Sequence, residues 1–289
     1  MLLDYLVIGH VTRDLKGSSF ELGGTATYAA RTAQALGCRV GVCTSTGAGV
    51  DLRESLEGVL VARIPAPRST TFENVYTRGG RRQVIHDVAA PLRPEMLPCD
   101  WRARLVHIGP VARECDPALV SSLGETFVGV TPQGWMRQWN GAGHVRRSRW
   151  EEAEQVLPYA DAVVLSEEDV GGNRSMAAEY ARQTSCLALT QGPSGCIVYA
   201  DGDVRRFPAP RVDRVDSTGA GDIFAASFFY ALQQGHGAWA AARFANCVAS
   251  RSVTRLGLLG TPHRHEVSRC RRTALRRDET RDAHHLRAG

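Results

Sequence analysis

Apolar residues in this chain come in short bursts, separated by stretches where they recur every three or four positions. The first burst, DYLVIGHV, breaks at Gly9, and the glycine pair in GGTATYAARTAQALGC then leads into a helical stretch ending at Gly37. RVGVCTSTG reads as the next strand. Later bursts are LVHIGPV (105–111), TFVGVTP (126–132), DAVVLSE (161–167), CLALTQG (186–192) and CIVYADG (196–202), with helix-like segments such as DPALVSSLG and RSMAAEYARQ between them. That alternation predicts an α/β fold with a mainly parallel sheet wrapped by helices.

Residues 68–87, RSTTFENVYTRGGRRQVIHD, follow another rhythm. Side chains alternate on both sides of Gly79-Gly80, which predicts an antiparallel hairpin projecting from the body. Its half-exposed pattern suits a lid, and an ordinary edge hairpin is the alternative. No internal repeat stands out.

With 289 residues the chain can bury a real core. Its net charge of +5 does not describe that body: residues 269–289 carry seven Arg against three acids, and the remainder is near neutral. The segment TALRRDETRDAHHLRAG lacks interleaved aromatics, so it is expected to be a solvated, disordered tail and not a nucleic-acid-binding element. Lys16 is the single Lys and stands outside any GxxxxGK[ST] match, which removes a Walker-type phosphate loop. The eight cysteines form no CxxC pair, so reduced, mostly buried thiols are expected and neither a metal site nor a disulfide framework. No run of about 18 apolar residues is present, and the N-terminus lacks the features of a leader, which points to a cytoplasmic protein without membrane contact.

The chemistry concentrates in DSTGAGD (216–222), directly before the apolar run IFAASFFYAL. Gly219, Ala220 and Gly221 can turn tightly and present N–H groups at the positive end of a helix starting near Asp222, which makes an anion site. An Asp there is often only a cap. Beside an anion cradle, however, its carboxylate can orient and deprotonate a hydroxyl that attacks a phosphoryl group, the combination phosphoryl transfer requires.

At this point VDSTGAGDIFAASFFYAL resembles the C-terminal signature of the ribokinase-like, PfkB-type carbohydrate kinases. The resemblance runs from about residue 5 to about 268 through several separate motifs. It implies a three-layer ribokinase-like sandwich over 1–268, with a small β lid from about 12–22 and 68–90. It implies Asp222 as catalytic base, Gly219 to Gly221 as anion hole, and Asp216 to Thr218 shaping the loop around the phosphates. LTQGPSGCIVY is similar to the nucleotide segment, placing Thr190, Gly192 and Gly195 beside ATP; Asn246, in FANCVASRSVTRLG, is a candidate for the adenine side. Asp14 matches the sugar-binding acid and Gly23-Gly24 the glycine pair against which a polyol lies. ATP and Mg²⁺, with a monovalent cation in some cases, are the implied cofactors. Relatives of this kind pair through their lid sheets, which would make a homodimer.

Two positions depart from that pattern. Where such kinases carry Asn after the glycine pair this chain has Tyr28, which cannot offer the two-sided contact of an amide. The NxxE element reads Ser166-Glu167-Glu168-Asp169, leaving Glu168 and Asp169 as magnesium-side candidates or an ordinary acidic helix start. TPQGWMRQW (131–139) resembles a PQG stretch of inositol-kinase-like members, and its Trp135 and Trp139 have the spacing of neighbours on one helix face. Together with Tyr28 this favours a cyclitol over ribose. The alternatives are a nucleoside or vitamin-precursor kinase, or a catalytically weak nucleotide- or sugar-binding regulator. A dinucleotide-binding oxidoreductase is disfavoured, because no GxGxxG follows the first strand.

Overall fold

A computed structural model describes residues 1–77 and 80–275. In chain order the strands are β1 (Leu2–Ile8), β2 (Thr12–Lys16), β3 (Ser19–Gly23), β4 (Val40–Gly47), β5 (Leu60–Ala66), β6 (Thr71–Thr77), β7 (Gly80–Asp87), β8 (Arg102–Ile108), β9 (Phe127–Val130), β10 (Arg137–Trp139), β11 (Val145–Arg147), β12 (Ala162–Ser166), β13 (Cys186–Thr190), β14 (Cys196–Ala200) and β15 (Asp203–Phe207). The helices are α1 (Gly24–Ala35), α2 (Ala118–Ser121), α3 (Ala153–Val156), α4 (Arg174–Ala181), α5 (Ala220–Gln233), α6 (Ala238–Ser252) and α7 (Arg264–Ala274).

The predicted sheet is present, in the order β15-β14-β13-β12-β9-β8-β1-β4-β5. From β13 to β5 every neighbouring pair is parallel, and β14 and β15 close one edge as antiparallel strands. The apolar bursts are continuous because such strands are buried on both faces. Successive residues of β12 show it: Ala162 and Val164 pack toward α1, α5 and α6, while Val163 and Leu165 pack toward α4 and the Trp135–Trp150 stack. Strand β5, which the hydrophobic pattern left unassigned, is half-exposed at the far edge, so its apolar signal is diluted.

The lid is a separate four-stranded sheet, β3-β2-β6-β7. It joins the two segments expected to form it, with β2 parallel to β6. Arg78 and Gly79, where the hairpin was expected to turn, lie outside the described residues.

Three expectations are corrected. Helix α7 runs through residue 268, where the tail was expected to begin, and buries Val267, Cys270 and Ala274; its apolar spacing was hidden by the surrounding arginines. Residues 276–289 lie outside the described part of the chain. Cys247 and Cys270 form a disulfide between α6 and α7, whereas the other six cysteines are free. Nothing in a separation of 23 residues announces that pairing, which arises when α7 packs back onto α6. Lastly, Trp135 and Trp139 share no helix. Trp135 follows a single 3₁₀ turn (Pro132–Gly134) and is fully buried on Trp150, whereas Trp139 ends β10 and packs under the lid.

Candidate active site

The carboxyl ends of the parallel strands all open at one edge of the sheet, where α/β folds hold their ligands. The loops leaving β1, β8, β9, β12 and β13 meet there with the starts of α1 and α5.

The glycine pair is required by close approach. A Cβ on Gly23 would come within 2.5 Å of Asp14 Oδ2, and one on Gly24 within 2.5 Å of the His10 carbonyl, where φ is +81°. With only hydrogen at these positions, α1 starts directly against β2 and its carboxylate. Asp14 is held by the Thr12 hydroxyl, which donates to Oδ1 at 3.0 Å, and stands opposite Phe72 in the lid.

Beside it, the DSTGAGD loop builds the second half of the site. Asp216 Oδ1 accepts from the Thr218 backbone N–H (2.9 Å) and hydroxyl (2.7 Å), and Oδ2 accepts from the Gly257 N–H (2.9 Å). Burial alone would raise the Asp216 carboxyl, but these hydrogen bonds, with the charge of Lys16, hold it below its ordinary value. Gly219 then takes φ +74°, left-handed, and starts α5 without any side-chain cap. The Ala220 N–H closes the turn on Ser217 at 3.2 Å, and Gly221 opens onto free space. The first turn of α5 is therefore an uncapped, positively polarised N-terminus.

Asp222 stands inside that turn, partly buried, with the Thr25 hydroxyl of α1 donating to Oδ1 at 2.7 Å. Burial pushes its carboxyl up from 3.8 to about 6; the Thr25 hydrogen bond and the charge of Arg137 pull it down, while Asp169 and Asp14 push it up. Such a carboxyl is ionised at neutral pH yet basic enough to accept a proton.

Tyr28, expected on the substrate side, is 3% exposed, and a Cβ on Gly219 would run into its ring, so the ring lies under the turn that starts α5. Asn246 is likewise buried. Its amide donates to the Phe207 carbonyl at 3.1 Å and approaches Cys196 Sγ at 3.4 Å, clamping the β14–β15 hairpin to α6. Thr190, at the end of β13, pairs with Ser166 of β12, so the nucleotide-segment and NxxE-like positions are neighbours. Gly192 is exposed, whereas Gly195 (φ +92°) lets its turn press on Phe207 to Ala209.

Asp169 Oδ2 accepts from both the backbone and hydroxyl of Ser166, at 2.8 and 2.6 Å, and Asp169 still reaches Asp222 electrostatically. Glu168 is exposed. Among the described residues no cluster of three or more His, Cys, Asp or Glu side chains could hold a metal ion.

Sequence reasoning missed the buried support. Glu114, 3% exposed, accepts from the backbone N–H groups of His10, Val111 and Ala112, tying together the loops after β1 and β8. His107 bridges the Tyr5 hydroxyl and the Thr131 hydroxyl, and burial pushes its pKa down to about 3, so it is a neutral connector. Arg137 was missed as well. Arg137 lies within the TPQGWMRQW stretch but was not singled out there, and no local motif marks Glu114 or His107.

The model of the pfkB family carbohydrate kinases matches residues 135–263. A fructokinase of Klebsiella pneumoniae is 28% identical over 156 residues, covering 49% of this chain and 50% of its own. An inositol 3-kinase of Oryza sativa is 35% identical over 121 residues, covering 41% of this chain and 30% of its own. The matched segments span half or less of those relatives' length. A solved pyrophosphate-dependent kinase of the ribokinase family, complexed with a pyrophosphate analog and myo-inositol, superposes with TM-score 0.78 at 24% identity, over 91% of this chain and 99% of that one. At that identity the likeness is one of fold.

Proposed function

We propose that this chain, which belongs to the PfkB family of carbohydrate kinases, transfers the γ-phosphoryl group of ATP to a hydroxyl of a small sugar or polyol. The observation that carries this reading is Asp222, oriented by Thr25 within the uncapped first turn of α5. The acceptor hydroxyl lies toward Asp14 and Gly23-Gly24 under the lid, and the phosphates lie against Gly219, Ala220 and Gly221. As the acceptor oxygen bonds to phosphorus and the P–O bond to the leaving diphosphate breaks, Asp222 takes the hydroxyl proton and the turn holds the displaced charge. The donor extends past Thr218 toward Thr190, Gly192 and Gly195. Asp169 and the neighbouring Glu168 are the side chains that would hold Mg²⁺, which would supply positive charge to the donor phosphates.

A cyclitol is favoured as acceptor by the inositol 3-kinase relative and the neighbour bound to myo-inositol. Pyrophosphate as donor is the second reading, favoured by that same neighbour. A screen of sugars, inositols and nucleosides against ATP and pyrophosphate tests all of this. Turnover with at least one polyol is expected, and Asp222→Asn should lower kcat by orders of magnitude while leaving donor binding largely intact. Near-normal turnover in that variant removes Asp222 as the base.

A further inference from the structure

We infer that Arg137 is the side-chain cation that meets the transferring phosphoryl group on the acceptor side of Asp222, an inference that rests on the kinase reading above. The surroundings of Asp222 are acidic: the charges of Asp14, on β2, and Asp169, in the loop after β12, push its carboxyl up, while the phenols of Tyr5 and Tyr28, from β1 and α1, feel its charge. A phosphorylated donor adds further negative charge to this space. Of the charged side chains that act most on Asp222, Arg137 is the cation. Lys16, the chain's single lysine, acts on Asp216 from the lid instead.

The backbone holds Arg137 in place from two sides. After β9 the chain makes the 3₁₀ turn Pro132–Gly134, whose Gly134 N–H donates to the Pro110 carbonyl at 2.9 Å. A Cβ at Gly134 would collide with Pro110 and Val111, so the turn sits flush on the loop after β8. Arg137 follows as the first residue of β10. Its Nη1 donates to the Val111 carbonyl at 3.2 Å, and its guanidinium lies 5.8 Å from the centre of the Phe72 ring. Phe72 pairs with Asp14 across the lid sheet. The guanidinium thus stands between lid and body, close enough to the base to act on it and next to the strand that carries the acceptor-side acid.

A guanidinium in that position does two things for the transfer. Its planar fork matches two phosphoryl oxygens, and the charge it offers is permanent and weakly hydrated. It also favours the ionised form of Asp222, which must be free of its proton before it can accept the one from the acceptor hydroxyl. No bond is made to Arg137: the hydroxyl oxygen binds phosphorus, the leaving phosphate takes the electron pair of the broken P–O bond, and the proton goes to Asp222. The rival role is a brace, in which Arg137 only pins the lid through Val111 and Phe72.

Arg137→Gln and Arg137→Lys, assayed in the full chain with the donor and acceptor found by the screen, separate the two. For Arg137→Gln, kcat should fall about a hundredfold or more, as on removal of one transition-state donor, with the acceptor KM within a few-fold. Its acid limb in kcat/KM should move to higher pH, because Asp222 loses the cation that lowers its pKa. Arg137→Lys should recover part of kcat, and free guanidinium should partly rescue Arg137→Ala. A lowered Tm with kcat within about threefold of the parent identifies a brace and overturns the inference, as does a raised acceptor KM with unchanged kcat. If the parent chain itself transfers no phosphoryl group to any alcohol from either donor, the kinase reading has failed and this inference with it. An active parent with an active Arg137→Gln variant overturns the inference alone.

Discussion

Replacing Asp222 with Asn is expected to raise stability while abolishing turnover. The carboxyl is pushed from 3.8 to about 6, first by burial, with Thr25 and Arg137 opposing and Asp169 and Asp14 adding to it. A carboxyl whose folded pKa exceeds its unfolded one keeps its proton in the folded chain after the unfolded chain has lost it. The fold therefore weakens as pH rises through the window between those two values. At 1.36 kcal/mol for each tenfold, the full penalty is ~3 kcal/mol once pH lies well above the folded pKa. Asn removes the charge, and its carbonyl oxygen can still accept the Thr25 hydrogen bond, so about 1 to 3 kcal/mol should return, or about 2 to 10 °C in Tm for a domain of this size. Thermal melts of parent and variant across pH supply the check. The gain should be complete near pH 8, shrink through about pH 6 and vanish below about pH 4, where both states of the parent are protonated. A variant that melts below the parent near pH 8, or a gain that persists unchanged into acid, refutes the argument. This coupling of lost function to gained stability is what a charge buried for chemistry predicts.

Other outcomes follow from the same structure. Gly219→Ala places a methyl at φ +74° against the Tyr28 ring, so it should lower Tm and reduce kcat together; a variant with normal kinetics would mean that the turn is not held by that contact. His107, neutral with its pKa depressed to about 3, opposes folding as pH falls below its unfolded value, because the unfolded chain binds the proton and the folded chain does not. His107→Gln should therefore flatten the loss of Tm between about pH 6.5 and pH 4 relative to the parent, and an unchanged slope would assign the acid lability elsewhere. Thiol titration of the unreduced, unfolded chain should count six free cysteines, rising to eight after reduction, with Cys247 and Cys270 as the difference; a count of eight from the outset would exclude the bridge between α6 and α7.

Local chemistry was legible in the chain itself wherever its parts are contiguous. The run DSTGAGD carries its own turn, helix start and acid, so its form as an uncapped helix start with an acid in the first turn follows from neighbouring residues alone. The parallel strands announced themselves because each is apolar on both faces, and the lid showed through its alternation. Function-bearing residues whose meaning depends on distant partners were not readable. That Tyr28 also packs under the left-handed Gly219, nearly two hundred residues away, could not be read from GGTATY. That the Asn246 amide nitrogen is held by the Phe207 carbonyl was equally unreadable from its helix. The Cys247–Cys270 pair, the Glu114 clamp and the approach of Arg137 to Asp222 arise only when helices and loops pack, because no short-range spacing encodes them. The sequence by itself determined the α/β class and the glycine turn that starts α5, since hydrophobic period and glycine chemistry are local. Tertiary structure alone decided which polar side chains face the cleft and which hold it up, since burial, electrostatic coupling and close approach belong to pairs of residues far apart in the chain.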